Sequence, residues 1–407
     1  MNGKNNYYKR HILKHLYFGY SLSCTDLSEK LEKSLPLTTK LLQELIKDEY
    51  IDETGFAPSS GGRRPVTYSL RKDILYIIAI AMDQFVVRIV TTNMHNHYVT
   101  PVENFELDIE KNNEALSILS EKINQHIENS GIPKTKIAGI GIGMPGFVDS
   151  AKGVNYSFFN QQNIPGEISE KTGLCVFIDN DSSLIALAEL RFGKAVNKST
   201  AMVINIGWGV GLGLIINASL FRGHNGFAGE FSHMSLFANG KLCKVCGKTG
   251  CLETETSLSV IVDKAKQSIE DGRATILKDE IFNADIETAF GKIMKAAQKG
   301  DQLAIELFSE AGYNIGKGVA ILIHLLNPET IVLSGRGSLA GKIWQAPIQQ
   351  ALNHHCIPRL AVNTDIEVSS LGYEAELIGA AALVMEKYEL SLYQPQPMID
   401  NQYSVNN

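Results

Sequence analysis

The sequence predicts an α/β protein: a small helical head with a β-wing, followed by a body of alternating strands and helices that carries a metal-binding loop. Three observations predict it. Positive charge is concentrated at the start of the chain. Strand-length and helix-length apolar patterns alternate from residue 73 onward. One histidine and three of the six cysteines fall between Gly226 and Glu255.

The net charge of −6 is unevenly spread. Residues 1–72 hold 12 Lys and Arg against 8 Asp and Glu, and the rest of the chain is acidic. A basic head on an acidic body suits a head that meets phosphates. Met1 to Arg10 is polar and lacks the apolar run of a signal peptide, so a cytoplasmic, reducing location is expected. Ile74–Met82, the apolar run ILYIIAIAM, is too short to span a bilayer, so no membrane partner is expected.

In the head, residues 7–18 place Ile12, Leu13, Leu16 and Tyr17 on one helical face. Ser23 and Asp26 form a capping-box-like pair that opens a second helix. After the turn Lys33-Ser34-Leu35, Pro36 opens a third helix, at a position where its missing N–H is harmless. Thr38, Thr39 and Lys40 are read as that helix's first exposed turn. Two short helices joined by a tight turn make a helix-turn-helix, whose second helix enters the DNA major groove by its N-terminal residues. Tyr50–Glu53 and Val66–Leu70 read as strands around SSGGRRP, a wing in which Gly62, Arg63 and Arg64 can approach a phosphate backbone or minor groove. A helical module that binds protein has the same pattern, but the wing arginines favour double-stranded DNA.

In the body, Tyr76–Met82, Val86–Val90, Ile137–Ile142, Val176–Ile178, Met202–Ile206, Leu214–Ile216 and Thr330–Leu333 read as strands. Residues 114–128, 182–192 and 303–326 read as helices. Such alternation places ligand sites at strand ends. The expected domains are a head at 1–72, a first lobe at 73–186, a second at 187–390 and a disordered tail at 391–407. A late helix at about 373–388 can return to the first lobe.

His233, Cys243, Cys246 and Cys251 have the spacing H-x9-C-x2-C-x4-C, a ligand set for tetrahedral zinc. Six cysteines in 407 residues are too few for a disulfide scaffold. Cys24, Cys175 and Cys356 read as ordinary thiols. Glu230 and Glu253 flank the loop without metal-ligand spacing. They are read as acceptors for a polyhydroxylated ligand; solvated loop carboxylates are the plainer alternative.

The motifs GIGIGMPGFVD, IDNDSSLIALAE, NIGWGVGLGLIIN, GEFSHM, CGKTGCLE and GAAALV occur in this order and together resemble the ROK family (repressors, open reading frames, kinases). With the winged head, the chain resembles its branch of Mlc- and NagC-like sugar-responsive repressors. The resemblance implies an actin-like or hexokinase-like body of two α/β lobes with a sugar cleft between them. It implies sugar contacts from Glu230 and His233 in the family's ExGH motif, from Glu253, from Asn180 and Asp181 beside the reacting hydroxyl, and from Asn160. It also implies a homodimer or homotetramer. Where the family has CxCGxxGCLE, this sequence separates Cys243 and Cys246 by two residues.

Family kinases carry a DxGGT-like phosphate loop. Ile80-Ala81-Met82-Asp83-Gln84 stands there instead, Trp208 replaces a threonine of the second phosphate loop, and Ser334 and Arg336 alter the adenosine end. A base without a phosphate donor has nothing to transfer. Asp181, the kinase-base equivalent, is therefore read as a retained sugar contact, and the protein as no enzyme. The expected function is a sugar-responsive repressor of carbohydrate-use genes that binds operator DNA and a sugar or sugar-phosphate effector. An active ATP-dependent ROK sugar kinase is the alternative. A regulator controlled by a protein partner, with the tail from Tyr393 to Asn407 as a binding segment, is a third.

Overall fold

In the run Gly139-Ile140-Gly141-Ile142-Gly143, a large side chain alternates with none, so a strand here has one greasy face and one bare face. Both faces are used. A computed structural model describes residues 2–57, 64–277 and 281–389, and in it the chain divides into two compact units. In the first unit, Ile140 and Ile142 are fully buried with the apolar residues of the helices Ala115–Ser130 and Ile164–Thr172. The bare face receives the helix Ala375–Glu386. A Cβ at Gly141 would lie 2.0 Å from the Ala380 carbonyl oxygen, so only glycine allows this approach.

This sheet has the order Val176–Asn180, Ile137–Met144, Tyr76–Met82, Val86–Asn93, Glu103–Glu106. The last three strands form an antiparallel meander, and the first two are added in parallel. The second unit repeats the plan. Ala201–Ile206, Val210–Ile216 and Ser219–Phe221 form the meander, and Thr330–Ser334 and Asp365–Val368 are added in parallel. The 25-residue helix Gln302–Leu326 buries Leu307, Phe308, Ile315 and Ile323 in its core.

The glycine run 207–213 is only partly a loop. The strand resumes at Val210, and Gly211 and Gly213 lie in it, with Gly213 facing Ala186 of the helix Asp181–Phe192. A Cβ on Gly213 would sit 2.2 Å from the Ala186 Cβ. Here glycine serves helix–sheet packing.

The first unit is Met1–Asp181 with the chain from Leu377 onward, and the second is Ser182–Glu376. The division falls five residues before the expected boundary after 186, because Ser182 and Ala186 pack under the strand glycines. The late helix groups with the first unit from Leu377, and the head groups with that unit too. The tail after 390 lies outside the described residues.

The head holds helices Asn2–Gly19, Cys24–Leu31 and Leu35–Lys47 and the antiparallel strands Leu22–Ser23, Ile51–Phe56 and Val66–Leu70. The Ser23–Asp26 capping box forms as expected: Asp26 N–H donates to Ser23 Oγ at 3.2 Å, and Ser23 N–H to Asp26 Oδ2 at 2.8 Å. Ile12, Leu16, Leu27, Leu41, Leu42 and Ile51 make its core. One expectation is corrected. Thr38 is not exposed: it is 0% accessible, and its hydroxyl donates to the Ser34 carbonyl at 3.2 Å. The helix begins at Leu35, which turns position 38 toward the core and leaves 39 and 40 outside. Among the described residues no helix is long and apolar enough to cross a membrane.

Candidate functional site

The metal-type residues are gathered by a tight hairpin. Glu230 precedes the short helical turn Phe231–His233. The chain then pairs Ser235 with Cys251 and Leu242 with Thr249. Cys243 N–H donates to the Lys248 carbonyl at 2.8 Å, and Gly247 N–H donates back to the Cys243 carbonyl at 2.9 Å. This closes CKVCGK into a tight knuckle. Gly250 makes the return possible. Its φ is +75°, and a Cβ there would lie 1.8 Å from the Phe237 carbonyl oxygen.

The fold brings all four expected ligands together: one atom from each of His233, Cys243, Cys246 and Cys251 lies within 4.8 Å of the others. Cys246 Sγ is 3.4 Å from Cys251 Sγ, and Cys243 Sγ is 3.7 Å from His233 Nδ1. Tetrahedral ligands about 2.3 Å from a shared ion stand roughly 3.8 Å apart, so the cluster is close to the size a metal needs. Burial, together with the neighbouring Cys246 and Cys243, pushes the Cys251 thiol up to about 12. A cation reverses that preference, because it binds the thiolate. The residues therefore fit a metal.

Around the cluster the carboxylates take different roles. Glu230 is exposed, and its Oε2 lies 3.9 Å from His233 Nε2, the ring nitrogen opposite the one facing Cys243. Glu253 is half-buried, and its Oε2 accepts from Val210 N–H at 3.0 Å. It thus ties the metal hairpin to the glycine-rich turn at 207–209. Glu255, which the sequence did not single out, braces the hairpin from below: it accepts from Lys241 N–H at 3.3 Å and pairs with Lys264 at 3.5 Å.

In the first unit, Asn180 ends the strand Val176–Asn180, and its amide donates to the Gly146 carbonyl at 3.1 Å. Asp181 opens the next helix, where the helix dipole favours a carboxylate. Asn160 is exposed, with φ 50°, between Phe159 and Gln161, which also have positive φ.

Asp83, Trp208 and Arg336, where the sequence departs from the kinase motifs, make internal contacts. Asp83 Oδ1 accepts from Phe85 N–H at 2.9 Å and from Val86 N–H at 2.8 Å, so the hairpin amides are already bound. Arg336 is 7% accessible. Its guanidinium lies 4.7 Å from the Trp208 ring centre and 4.2 Å from that of Tyr373. It also pairs with Glu287 and donates to the Tyr373 hydroxyl at 2.8 Å. Trp208 meets Phe290 edge-on. Sequence reading found Trp208 and Arg336 but not Glu287, Phe290 or Tyr373, since no local pattern joins positions so far apart.

Of the expected DNA contacts, Thr39 and Lys40 are exposed, with the Lys40 side chain 64% accessible, and Arg64 is exposed. Gly62 and Arg63 lie outside the described residues.

The sequence profile described as "ROK family" matches residues 87–387. A xylose repressor of Caldicellulosiruptor bescii is 31% identical over 92% of this chain and 94% of its own. A glucokinase of Halalkalibacterium halodurans is 31% identical over 66% of this chain and 82% of its own. The crystal structure of a ROK family transcriptional regulator, a homologue of the Escherichia coli Mlc protein, is 26% identical, with TM-score 0.78 over 95% of this chain and 98% of that one. Paired sheets of one plan, the metal-type loop and these similarities lead to one statement: the chain belongs to the ROK family.

Proposed function

We propose that the protein is a sugar-responsive DNA-binding repressor of carbohydrate-use genes without sugar-kinase activity. The observation that carries this reading is similarity to a xylose repressor over 92% of the chain, set beside a kinase relative that matches 66% of it. What the kinase match leaves over is enough for a head. The head's two short helices, tight turn and antiparallel hairpin support a winged helix-turn-helix. Thr39, Lys40, Gly62, Arg63 and Arg64 are its proposed DNA contacts; Thr38 is not among them.

The proposed effector is a sugar or sugar phosphate, with D-xylose the first to try on the strength of that relative's name. Glu230, His233, Glu253, Asn180, Asp181 and Asn160 are its proposed contacts, carboxylates accepting from hydroxyls and amides donating to them. Zinc is the proposed ion of His233, Cys243, Cys246 and Cys251. It would stiffen the hairpin and fix the His233 ring so that Nε2 is left for the ligand. A homodimer or homotetramer, which family resemblance implies, would set two heads on a pseudo-palindromic operator. The sugar would act by its differential affinity for the DNA-binding and released arrangements. The lost kinase activity is supported by Asp83, which binds the hairpin amides, and by Arg336, held between Trp208 and Tyr373.

Two assays test the reading. Incubation with ATP, magnesium and a sugar panel is expected to yield no sugar phosphate; robust turnover restores the kinase alternative. A duplex selected from random sequence is expected to bind, and a sugar of the panel to change that affinity. If every sugar that binds leaves DNA affinity unchanged, the effector mechanism fails.

A further inference from the structure

A helix leaves its last carbonyls without intrahelical partners. At the end of the helix Ala375–Glu386, the carbonyls of Leu383, Val384 and Met385 accept from the N–H groups of Lys387 and Tyr388, and those of Glu386 and of Tyr388 just beyond are taken by the first helix of the head, within the same compact unit. Lys14 Nζ donates to the Glu386 carbonyl at 2.8 Å and to Glu389 Oε1 at 2.9 Å. Arg10 donates to the Tyr388 carbonyl at 3.0 Å, and its guanidinium covers the Tyr388 ring at 4.7 Å. His11 Nε2 stands 3.7 Å from Glu389 Oε1. Arg10, His11 and Lys14 are spaced i, i+1 and i+4 on one helix, and the two cations Arg10 and Lys14 meet the end of another at which the dipole is negative.

We propose that this contact is a latch: through Lys14 and Arg10 the end of helix Ala375–Glu386 holds the DNA-reading head and reports the state of the body to it. The proposal rests on the repressor reading and names the part that carries its regulation. Two further observations support it. First, the helix cannot slide freely. Ala380 and Val384 sit directly on the bare glycine face of the strand Ile137–Met144, and the helix crosses the division between the units, with Glu376 on one side and Leu377 on the other. A change at its start is therefore carried as rotation or tilt to its end. Second, the latch is incompletely satisfied. Glu389 Oε2 and His11 Nε2 are buried with no hydrogen-bond partner among the described residues. Buried polar atoms without partners are costly, so such a contact is held near its release point, as a switch requires and a permanent joint does not.

The test uses the full-length protein with Lys14→Met, Glu389→Gln, the double variant and the conservative Lys14→Arg. The primary readout is amide hydrogen exchange without ligand. Each neutral variant is expected to speed exchange about tenfold in both helices, 2–19 and 375–386, with little more in the double variant and recovery in Lys14→Arg. If each variant loosens only the helix that carries it, the latch is refuted. The secondary readout adds D-xylose, with binding followed by calorimetry. Sugar-dependent exchange in helix 2–19 is expected in the wild type and not in Lys14→Met, with the sugar still bound. The same sugar response in both proteins also refutes the latch. A wild type that binds D-xylose without any change in the head counts against the effector reading, and the ligand-free exchange still decides the latch.

Discussion

Two polar clusters of the second unit, the metal hairpin and the arginine box at 208, 287, 336 and 373, look alike as lists of residues and differ in how their valences are spent. Around the hairpin, polar groups stay within reach of solvent: Glu230 is exposed, and His233 turns Nδ1 to the thiol cluster and Nε2 towards Glu230. In the box, Arg336 is closed in by two rings, a carboxylate and a hydroxyl. Polar groups near solvent can meet a ligand, while a charge enclosed by rings and a carboxylate is satisfied from within. The proposed function follows that difference, and the following experiments are aimed at it.

Removing a metal ligand has the largest expected effect. Cys251→Ala should abolish stoichiometric metal, measured by mass spectrometry. It should also lower the unfolding midpoint strongly, since structural zinc binding contributes on the order of 10 kcal/mol of apparent free energy in small domains. A chelator should reproduce the loss in the wild type. A variant with full metal content would remove Cys251 from the cluster. Next comes Glu230→Ala. Loss of a charge-assisted hydrogen bond costs about 1.5–3 kcal/mol, so sugar affinity by calorimetry should fall roughly 10- to 100-fold while the melting temperature holds. An unchanged affinity would make Glu230 a solvated loop carboxylate.

The box should behave in the opposite way. Arg336→Ala should destabilise the protein by about 2 kcal/mol, through loss of two cation–π contacts and a partly exposed ion pair, and leave sugar affinity intact. ATP should not raise the melting temperature of wild type or variant. An ATP-dependent rise in the variant alone would show that Arg336 merely plugs a working nucleotide site.

Sequence made some of this legible and hid the rest for physical reasons. An unbroken apolar run gave Tyr76–Met82 at its observed bounds, because a strand buried on both faces shows no polar alternation. The metal set was legible because its three cysteines are near neighbours in the chain and their chemistry is distinctive. Strand ends were not: Val86–Asn93 and Ile137–Met144 outrun the apolar pattern into Thr, Asn and Gly, whose backbones pair as well as any. The arginine box was half legible, since Glu287, Phe290 and Tyr373 meet Arg336 and Trp208 only through the tertiary fold. The latch was not legible, because Lys14 and Glu389 are 375 positions apart.

The smallest effects belong to the head, where neighbouring residues divide along the same line. Thr38 spends its hydroxyl on the Ser34 carbonyl and its methyl on the core, whereas Thr39 and Lys40 face outward. Thr38→Ala should therefore reduce head stability by about 1 kcal/mol in denaturant unfolding. If its DNA affinity changes at all, the loss should be the same on every sequence. Lys40→Ala and Arg64→Ala should leave stability within about 0.5 kcal/mol. Each phosphate contact they remove should flatten the slope of log affinity against log salt by roughly 0.9. A sequence-selective loss in Thr38→Ala, or an unchanged salt slope in both cation variants, would mean that the third helix presents another face to DNA. The reading that exposed polar residues carry the function would then fail in the head, where neighbouring residues put it to the test.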